Sequence, residues 1–574
     1  MKTKQFRILR AAFITGIFLM ILAASCTTYN GRPADLVIRN GKVVTIDKDH
    51  PQATAIAILD EKIIAVTGEH KIGRYIGDKT QVIDASGRLV LPGFNDAHAH
   101  FGPIDTDYIE LRYTTDPNVI TQKVAERVKQ VKPGVLIRGG HWEHEMFINK
   151  QWPTKELIDG VAPDNPVVLS RADGHSVLVN SYVLKASGIT KDTPDPFGGE
   201  IQKDSVTGEP TGIFKESAKR LLKYGAVPVE MTDEEREAKI TAGWKAAFAY
   251  AARCGVTSIQ YPGGGGPGFF REWQKKGWLT CRLDVARYLT DDTLQLERYD
   301  RMRKKYPREN NWIRFGYIKG FMDGTLGSGT LMMLKPLTDE PDKTGLPQMT
   351  YEDLVKRVLA CDRMGFQVGI HAIGDKANRW VLNAYQKAQE VNGKRDSRHR
   401  IEHAQILAPE DIPRFAELGV IASMQPTHCI TDKRFCEKRI GHERSKGAYA
   451  WRTLLNSGAH IAFGTDYSVE PLEPMEGLYA AVTRKDRLGE EGDGWFPEQK
   501  LTMEEAIRLY TLGSAYAQFM EDRKGMIKEG YLGDVVILNQ DLFNIPEDQI
   551  MKTKVDYTIV GGKIVYQREV QQTD

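Results

Sequence analysis

LVLPGFNDAHAH, residues 89–100, is the stretch that decides the fold, because an apolar run and a Pro-Gly turn lead directly into two histidines. In an extended segment alternate side chains point to the same side, so His98 and His100 project together and can bind one metal ion. Imidazole nitrogen suits Zn, Fe, Ni or Mn sites. A His-x-His pair is weak evidence by itself, so the rest of the chain has to supply further ligands.

Downstream of this stretch, short apolar runs alternate with longer amphipathic stretches. The strand-like runs are 167–169, 256–260, 313–319, 367–371, 400–403, 420–424 and 461–465. Helices are predicted between many of them, at 233–254, 351–364, 375–391 and 409–418. Strand–helix alternation favours parallel strands with helical crossovers, and the length fits a TIM-type (β/α)8 barrel. The predicted fold class is therefore α/β.

Both ends of the chain are rich in strand-like sequence. Runs at 36–38, 42–46, 55–59 and 63–66 open the chain, and Asn40-Gly41 predicts a hairpin between the first two. Runs at 534–538, 557–560 and 563–566 close it, with Gly561-Gly562 as a second hairpin turn. Because domain termini often lie close together, we predict one small β-sandwich from residues 35–91 and 520–574. The barrel then covers 92–519, with insertions near 103–165 and 185–235 over its catalytic face.

The first residues differ in kind from the rest. Basic residues within 2–10 precede an apolar run at 11–24, and small residues lead to Cys26. This is the order of a secretory signal, and a cysteine at this place resembles the lipobox of bacterial lipoproteins, although Ala23 stands where Leu is usual. We expect a signal peptide at 1–25, lipidation of Cys26 and a tether at 26–34. The protein would then be lipid-anchored in a bacterial cell envelope, facing the periplasm or the cell surface. Plain secretion or an uncleaved anchor is the alternative.

Composition and charge narrow the range of partners. The 574 residues carry a formal net charge of +2, with 41% hydrophobic and 27% charged residues. Such a balance gives no reason to expect a nucleic-acid surface, so the expected partner is a small-molecule substrate. The five cysteines after Cys26 are odd in number and scattered, which favours buried thiols over a disulfide framework. A Cys429–Cys436 bond stays open, as does a homodimer.

Further candidate ligands follow other predicted strands. His371 and His403 each end a short β-like run, Lys319 ends a mostly apolar run, and Asp466 follows the run at 459–465. In a TIM barrel such strand ends form the catalytic face. An ordinary lysine cannot ligate a metal, but a carbamate formed with carbon dioxide can bridge two ions; from spacing alone, pairing of Lys319 with an acid is the stronger interpretation. A carboxylate at Asp466 could bind a metal and accept a proton from the attacking water.

The order His-x-His, Lys, His, His, Asp on successive strands resembles the amidohydrolase superfamily. More narrowly, the chain is similar to the amidohydrolase-3 or YtcJ-like branch, which includes N-substituted formamide deformylase-like proteins. The resemblance covers nearly all of the chain after residue 26, and its motifs include residues 91–100, 173–176, 319–324, 371–375, 402–403, 425–428, 464–466 and 524–534. It implies a metal shell of His98, His100, Lys319, His371, His403 and Asp466, with one or two ions and a carbamate on Lys319.

The resemblance also points to residues near the substrate. His175, Asp323, Gln425 and His428 match positions that would orient the substrate or polarise its carbonyl, with loop structure as the alternative. Many relatives carry a histidine near the position of Gln260, so a family-like role is in doubt there. Two further features are candidates for the pocket: Glu216, and the polar-aromatic cluster at 141–144 at the substrate entrance.

The predicted activity is hydrolysis of a non-peptide carbon–nitrogen bond, of the amide or N-formyl type, by metal-activated water. The cofactor is a divalent metal, with zinc expected and Fe, Mn or Ni open. Asp466 would transfer the proton, and His428 or His175 would stabilise the oxyanion. One alternative is an ester or phosphoester hydrolase on the same scaffold. Another is a non-catalytic, surface-tethered lipoprotein that binds metal or ligand.

Overall fold

The computed structural model describes residues 31–263, 265–489 and 492–569. The predicted signal peptide and the lipidation site at Cys26 lie outside the described residues. Among the described helices, none combines the length and the apolar character that crossing a membrane requires. Cys254, Cys281, Cys361, Cys429 and Cys436 are all buried free thiols, as expected, and Cys429 is not bonded to Cys436.

Eight parallel strands form the centre of the molecule and confirm the predicted barrel. In chain order they are β1 (Phe94–Asp96), β2 (Val256–Tyr261), β3 (Arg282–Tyr288), β4 (Ile313–Phe321), β5 (Val368–Ala372), β6 (Arg400–His403), β7 (Ile421–Met424) and β8 (Ile461–Phe463). Each strand pairs with its successor in sequence. The amide of Ala97, just after β1, donates to the carbonyl of Phe463 in β8 at 3.0 Å and so joins the two ends of the sheet.

Helices cover the outside of the barrel. The larger ones are Asp233–Arg253, Thr293–Lys305, Tyr351–Arg363, Asp375–Asn392, Ile412–Leu418, Pro426–Ile440, Trp451–Asn456, Pro474–Thr483 and Met503–Arg508. The first of them begins with a capping box, in which Thr232 and Glu235 satisfy each other's backbone N–H groups. It buries Trp244, Ala247 and Phe248 against the barrel, and their i, i+3, i+4 spacing places them on one face.

Both ends of the chain build a β-sandwich beside the barrel. One sheet contains Lys62–Thr67, Ala55–Leu59, Leu36–Arg39 and Gln81–Asp84; the other contains Lys563–Gln567, Val555–Val560, Val535–Leu538, Leu89–Pro92, Lys42–Val44 and Gln52–Ala53. Ile38 and Ile56 of the first sheet share a core with Val90 and Ile537 of the second. The sandwich thus ties residues near the start of the chain to residues near its end.

One of the two predicted hairpins is wrong. Gly561-Gly562 does join paired antiparallel strands, with φ of 56° and 74° at the two glycines. The strands on either side of Asn40-Gly41 instead enter different sheets of the sandwich. A Cβ at Gly41 would lie 2.9 Å from Val90, so this glycine permits a close crossing between the sheets. The dipeptide signals a turn, but it does not state which strands pair.

A third sheet is inserted in the sequence between the first two barrel strands, β1 and β2. Its strands, in spatial order, are Gly199–Lys203, Pro210–Glu216, Ser176–Val179, Val167–Arg171, Ile137–Trp142 and Ile109–Glu110. The run at 167–169, predicted to be a barrel strand, belongs instead to this inserted sheet. It pairs with Ile137–Trp142 and Ser176–Val179 and packs in a separate core with Trp142 and Ile158. An apolar run predicts a buried strand but not the sheet that buries it.

Candidate metal and catalytic site

The carboxyl ends of the barrel strands bring the six predicted ligand residues together. His98 Nε2 and His100 Nε2 lie 3.6 Å and 3.4 Å from Asp466 Oδ1, and Lys319 Nζ lies 3.4 Å from His98 Nε2. The rings of His371 and His403 are centred 4.5 Å apart, and the ring of His403 is 5.1 Å from that of His98. Lys319, His371 and His403 lie in β4, β5 and β6, as residues of the strands themselves.

The spacing of the nearest donors fits a divalent metal ion. For a tetrahedral ion with ligands at about 2.0–2.1 Å, neighbouring ligand atoms lie about 3.4 Å apart. One nitrogen each of His98 and His100 and one oxygen of Asp466 lie mutually within 4.8 Å. Asp466 Oδ1 is buried and has no hydrogen-bond partner among the described residues. A buried carboxylate oxygen that no protein group satisfies is expected where a cation completes the site.

Asp96 draws the first and last barrel strands together, and sequence reasoning did not assign it this role. Its Oδ1 accepts from the amides of His98 and Thr465, both at 3.0 Å, and its Oδ2 accepts from the Thr465 hydroxyl at 2.5 Å. The Asp466 amide donates in turn to the His98 carbonyl at 2.7 Å. Burial raises the pKa of Asp96 to about 6. These bonds hold His98 beside Asp466, although the two residues are several hundred positions apart in the chain.

Hydrogen bonds behind the histidines fix which ring nitrogen faces the site. His98 Nδ1 lies 2.5 Å from Glu402 Oε2, and His403 Nδ1 lies 2.7 Å from Gln425 Oε1. His371 Nε2 lies 3.1 Å from the carbonyl of Gly324. Since carboxylate, amide and carbonyl oxygens only accept, each of these nitrogens carries the proton, and the other ring nitrogen keeps its lone pair for a metal.

Two residues of the site have strained backbone. His403 and Asp466 have φ of 77° and 57°, in the left-handed region that side chains other than glycine rarely adopt. The surrounding fold imposes these angles, because His403 ends β6 and Asp466 follows β8, and both strands are hydrogen-bonded to their neighbours. Strain of this kind accumulates where a side chain must point in one direction for function.

Lys319 is fully enclosed by the site. Burial lowers the pKa of its ammonium to about 8, against the opposing attraction of Glu402 and Asp466. No carboxylate of the described residues lies within ion-pair distance of its Nζ, so the simple lysine–acid pair considered from the sequence does not form with Asp323. A lysine of this kind has an appreciable neutral fraction near neutral pH, which is the form that reacts as a nucleophile.

A cavity lies above the metal-site residues, and two of the four predicted substrate residues line it. His175 and His428 both line it; His428 Nε2 lies 3.5 Å from Asp466 Oδ2 and has no hydrogen-bond partner among the described residues. The ring of His175 is centred 5.1 Å from that of His371. Its Nδ1 is held by Glu216 at 2.8 Å, so Glu216 enters the site as the residue that orients His175.

Asp323 and Gln425 are not among the residues that line the cavity. The Asp323 carboxylate accepts from the amides of Met332, Ile373 and Gly374 at 2.7, 3.0 and 2.9 Å, which fixes the loops after β4 and β5. Gln425 accepts from His403 and donates to the carbonyl of Ser423. Both residues therefore support the site from behind.

Gln260, where relatives often carry histidine, also acts from behind the site. Its Oε1 accepts from Arg400, and its Nε2 donates to the carbonyl of Ser514 at 2.9 Å. Arg400 is fully buried and also pairs with Glu402, which holds His98. A chain of contacts thus runs from Gln260 through Arg400 and Glu402 to the His98 ring. The sequence marked Glu402 only as the neighbour of His403.

The cavity above these residues has a volume of about 550 Å³. Its wall combines the barrel strand ends with residues of the inserted sheet and of the turns beside it. Within the cluster at 141–144, His141 and Glu143 line the cavity, whereas His144 is buried against Trp152. The cavity accommodates a small molecule.

Fold and site define a metal-dependent hydrolase of the TIM-barrel type, and comparison with known proteins agrees. The model of the family described as Amidohydrolase family matches residues 81–566, so the chain belongs to the amidohydrolase family. This confirms the resemblance drawn from the motifs. The fold is shared with an uncharacterized metal-dependent hydrolase from Pyrococcus horikoshii OT3, at a TM-score of 0.67 and 23% identity, covering 89% of this chain and 99% of that one.

Similar proteins come from plants and bacteria. Protein LONG AFTER FAR-RED 3 of Arabidopsis thaliana is 33% identical, with 94% of this chain and 93% of that protein covered. The protein YtcJ of Bacillus subtilis (strain 168) is 32% identical, with 92% and 98% covered. The N-substituted formamide deformylase of Arthrobacter pascens is 26% identical, with 93% and 98% covered.

Proposed function

We propose that this protein hydrolyses a non-peptide carbon–nitrogen bond, of the amide or N-formyl type, in a small molecule. The observation that carries the proposal is the unpartnered, buried Oδ1 of Asp466, which lies 3.4 and 3.6 Å from the Nε2 atoms of His100 and His98. Membership of the amidohydrolase family supports hydrolase chemistry. The similarity to a formamide deformylase from Arthrobacter pascens supports a carbon–nitrogen bond as the one that is cleaved.

The ligands that would hold the metal share an origin at the carboxyl ends of barrel strands: His98, His100, Lys319, His371, His403 and Asp466. Their nitrogen and carboxylate donors suit zinc, and Fe, Mn or Ni accept the same set. A divalent ion held there would lower the pKa of bound water toward neutrality and would polarise the substrate carbonyl.

In this proposal Asp466 moves the proton. Its Oδ2 lies 3.5 Å from His428 Nε2, at the floor of the cavity, so it can accept the proton of the attacking water and return it to the leaving amine. His428 and His175 line the same cavity and can donate a hydrogen bond to the carbonyl oxygen as negative charge develops on it. Glu216 keeps the His175 ring in that orientation.

Lys319 would carry a carbamate. In this reaction the neutral amine forms an N–C bond with carbon dioxide and releases one proton. Burial, which lowers the pKa of Lys319 to about 8, provides the neutral amine. The two anionic oxygens of a carbamate would allow the site to hold two ions. Carbon-13 NMR after equilibration with labelled bicarbonate should give a carbamate resonance that Lys319→Gln lacks; equal spectra from both proteins would exclude the modification.

The catalytic proposal is tested with Asp466→Asn on panels of amides, carboxylic esters and phosphate esters. We expect turnover of amides by the wild type, a loss of about 10²–10⁴-fold in kcat in the variant, and retention of much of the metal. The exposed Asp522→Asn is the matched control. Turnover of esters alone would contradict carbon–nitrogen cleavage and indicate an ester hydrolase. Bound metal without turnover of any compound would indicate a protein that binds metal but does not catalyse hydrolysis.

The location of the protein is a separate proposal that rests on residues 1–26. We expect a lipid on Cys26 and attachment to the bacterial cell envelope. Labelling of expressing cells with a radioactive fatty acid should mark the wild type and not Cys26→Ala. Equal labelling of the wild type and Cys26→Ala, or labelling of neither protein, would contradict the proposed lipid anchor.

A further inference from the structure

Five of the six carboxylates around the metal cavity have protein partners, Asp466 belongs to the metal site, and some of the cationic side chains have no carboxylate partner. The cavity lining includes six carboxylates, at Glu143, Asp173, Glu216, Asp432, Asp466 and Glu470. The lining also includes five cationic side chains, at Arg112, Arg171, Lys219, Arg220 and Arg434. Which of these charges already has a partner decides the charge that a ligand should bring.

Two of the acids are saturated by neighbours beside the inserted sheet. Asp173 pairs with Arg171 and accepts from the hydroxyls of Thr325 and Ser328, both at 2.6 Å. Glu216 accepts from His175 at 2.8 Å and from the hydroxyl of Thr330 at 2.6 Å. Neither carboxylate needs a ligand cation.

Three of the other acids also have protein partners. Glu143 pairs with Arg171, and Glu470 lies 3.1 Å from Arg487. Asp432 accepts from the hydroxyl of Tyr449 at 2.7 Å and from the amide of Gln405 at 2.9 Å. Asp466 faces the histidines of the metal site.

Lys219 and Arg220 stand apart from this network. Lys219 Nζ donates to the carbonyl of Gly174 at 2.7 Å, and among the described residues neither side chain has a carboxylate within 4.0 Å. The charges of Asp173 and Glu216 reach Lys219 only over longer distances and are already compensated by their own partners. Two adjacent cations on a cavity wall therefore lack an anion.

Their position relates them to the reacting centre. Both lie in the turn Ser217–Leu221, directly after Glu216, which has φ of 51° and ends the last long strand of the inserted sheet. The carbonyl that Lys219 holds belongs to Gly174, the residue before His175. An anion on this turn would thus lie on the same wall as His175, whose ring packs against that of His371.

Of the remaining cations, Arg171 has carboxylate partners, whereas Arg112 and Arg434 have backbone acceptors. Arg171 is neutralised by Glu143 and Asp173. Arg112 donates to the carbonyl of Ser468 at 2.8 Å and also to that of Val469, and Arg434 donates to the carbonyl of Thr431 at 2.6 Å. The side chain of Arg220 is exposed and has no hydrogen-bond partner in the part of the chain that the structure describes.

We propose that Lys219 and Arg220 bind an anionic substituent of the substrate, a carboxylate or a phosphate-like group, while the scissile bond lies at the metal site. The inference deepens the proposed function, because it rests on that function and names the substrate class. An arginine offers a planar, multidentate set of donors and a lysine a point charge, and both make charge-assisted hydrogen bonds with such oxyanions.

The test uses three probes that differ in one group: N-formylglycine, N-formylglycinamide and N-formylaminomethylphosphonate. With wild-type protein we expect kcat/KM for the carboxylate to exceed that for the carboxamide by about 10–100-fold, as for a hydrogen bond to a charged group. Arg220→Gln should remove most of this preference by raising KM for the carboxylate. Lys219→Arg, which keeps the charge, should retain it. The rate with the phosphonate tells whether the larger anion is preferred.

The matched control is Arg301→Gln, which removes an exposed arginine that does not line the cavity. Calorimetric measurement of the affinity for the same three compounds reports on the anion site without requiring turnover. Equal hydrolysis of carboxylate and carboxamide would refute the anion site and leave the proposed function standing. Selective binding of the carboxylate without hydrolysis of any probe would support the anion site and refute the proposed function. A preference that survives Arg220→Gln and Lys219→Gln together would also overturn the assignment.

Discussion

Replacing Glu402 by glutamine should lower the metal affinity of the His98 ring, although Glu402 is not itself one of the proposed metal ligands. The Glu402 carboxylate is completely buried, lies 2.5 Å from His98 Nδ1 and pairs with Arg400. Glutamine keeps the size of the side chain and an acceptor oxygen, but it removes the negative charge that increases the basicity of the ring. Loss of such a partner typically costs 10–100-fold in metal affinity, or about 1.4–2.7 kcal/mol.

The same change should also destabilise the metal-free protein. Removing one partner of a buried ion pair costs about 3–5 kcal/mol. We expect the lower end of that range, because Arg400 retains the carbonyl of Ala97 at 2.7 Å and the hydroxyl of Ser423 at 2.6 Å as acceptors. Metal affinity and folding stability therefore have to be measured separately.

Asp534→Asn provides the matched control. Asp534 forms an equally buried pair with Arg282, at 2.7 and 2.8 Å, but Arg282 opens β3 at the opposite end of the barrel from the site. Both variants should lose stability in urea unfolding, and only Glu402→Gln should lose zinc affinity in competition with a chromophoric chelator. Wild-type affinity in Glu402→Gln, or an equal loss in Asp534→Asn, would refute the reasoning.

Three further outcomes are expected. Asp96→Ala removes the acceptor that joins β1 to Thr465, so metal content by atomic emission should fall with Tm, and full metal occupancy would show that the clamp is dispensable. Chelation should lower the Tm and added zinc restore it, since a ligand at about 1,000 times its Kd stabilises by about 4 kcal/mol; a Tm that ignores chelator and zinc would argue against the site. The Arg452 hydrogen bond lowers the pKa of Glu505 from 4.5 to about 2. Its stabilisation is therefore present above pH 4.5 and lost as the pH falls toward 2, and Glu505→Gln should show a shallower acid loss in calorimetric Tm values than the wild type.

Several parts of this protein follow from sequence alone. The alternation of apolar runs with amphipathic stretches predicts the barrel, because parallel strands need helical crossovers. The histidines, Lys319 and Asp466 are predicted as site residues by their position at strand ends, because the carboxyl ends of barrel strands meet on one face. Buried thiols follow from the odd number and scatter of the cysteines.

Only the tertiary structure decided how residues distant in the chain combine. The turn at Asn40-Gly41 is local, but the partners of its strands are set by which apolar faces meet, so the hairpin prediction failed. Asp323 and Gln425 carry the right chemistry in the right motifs, yet their oxygens are used by neighbouring groups that sequence does not display. The same holds for LVLPGFNDAHAH: its pattern puts His98 and His100 on one side of the chain, whereas Asp96 brings them to Asp466 only when β1 and β8 meet. Periodicity and spacing are local properties, but the pairing of strands and the saturation of polar groups depend on the whole fold.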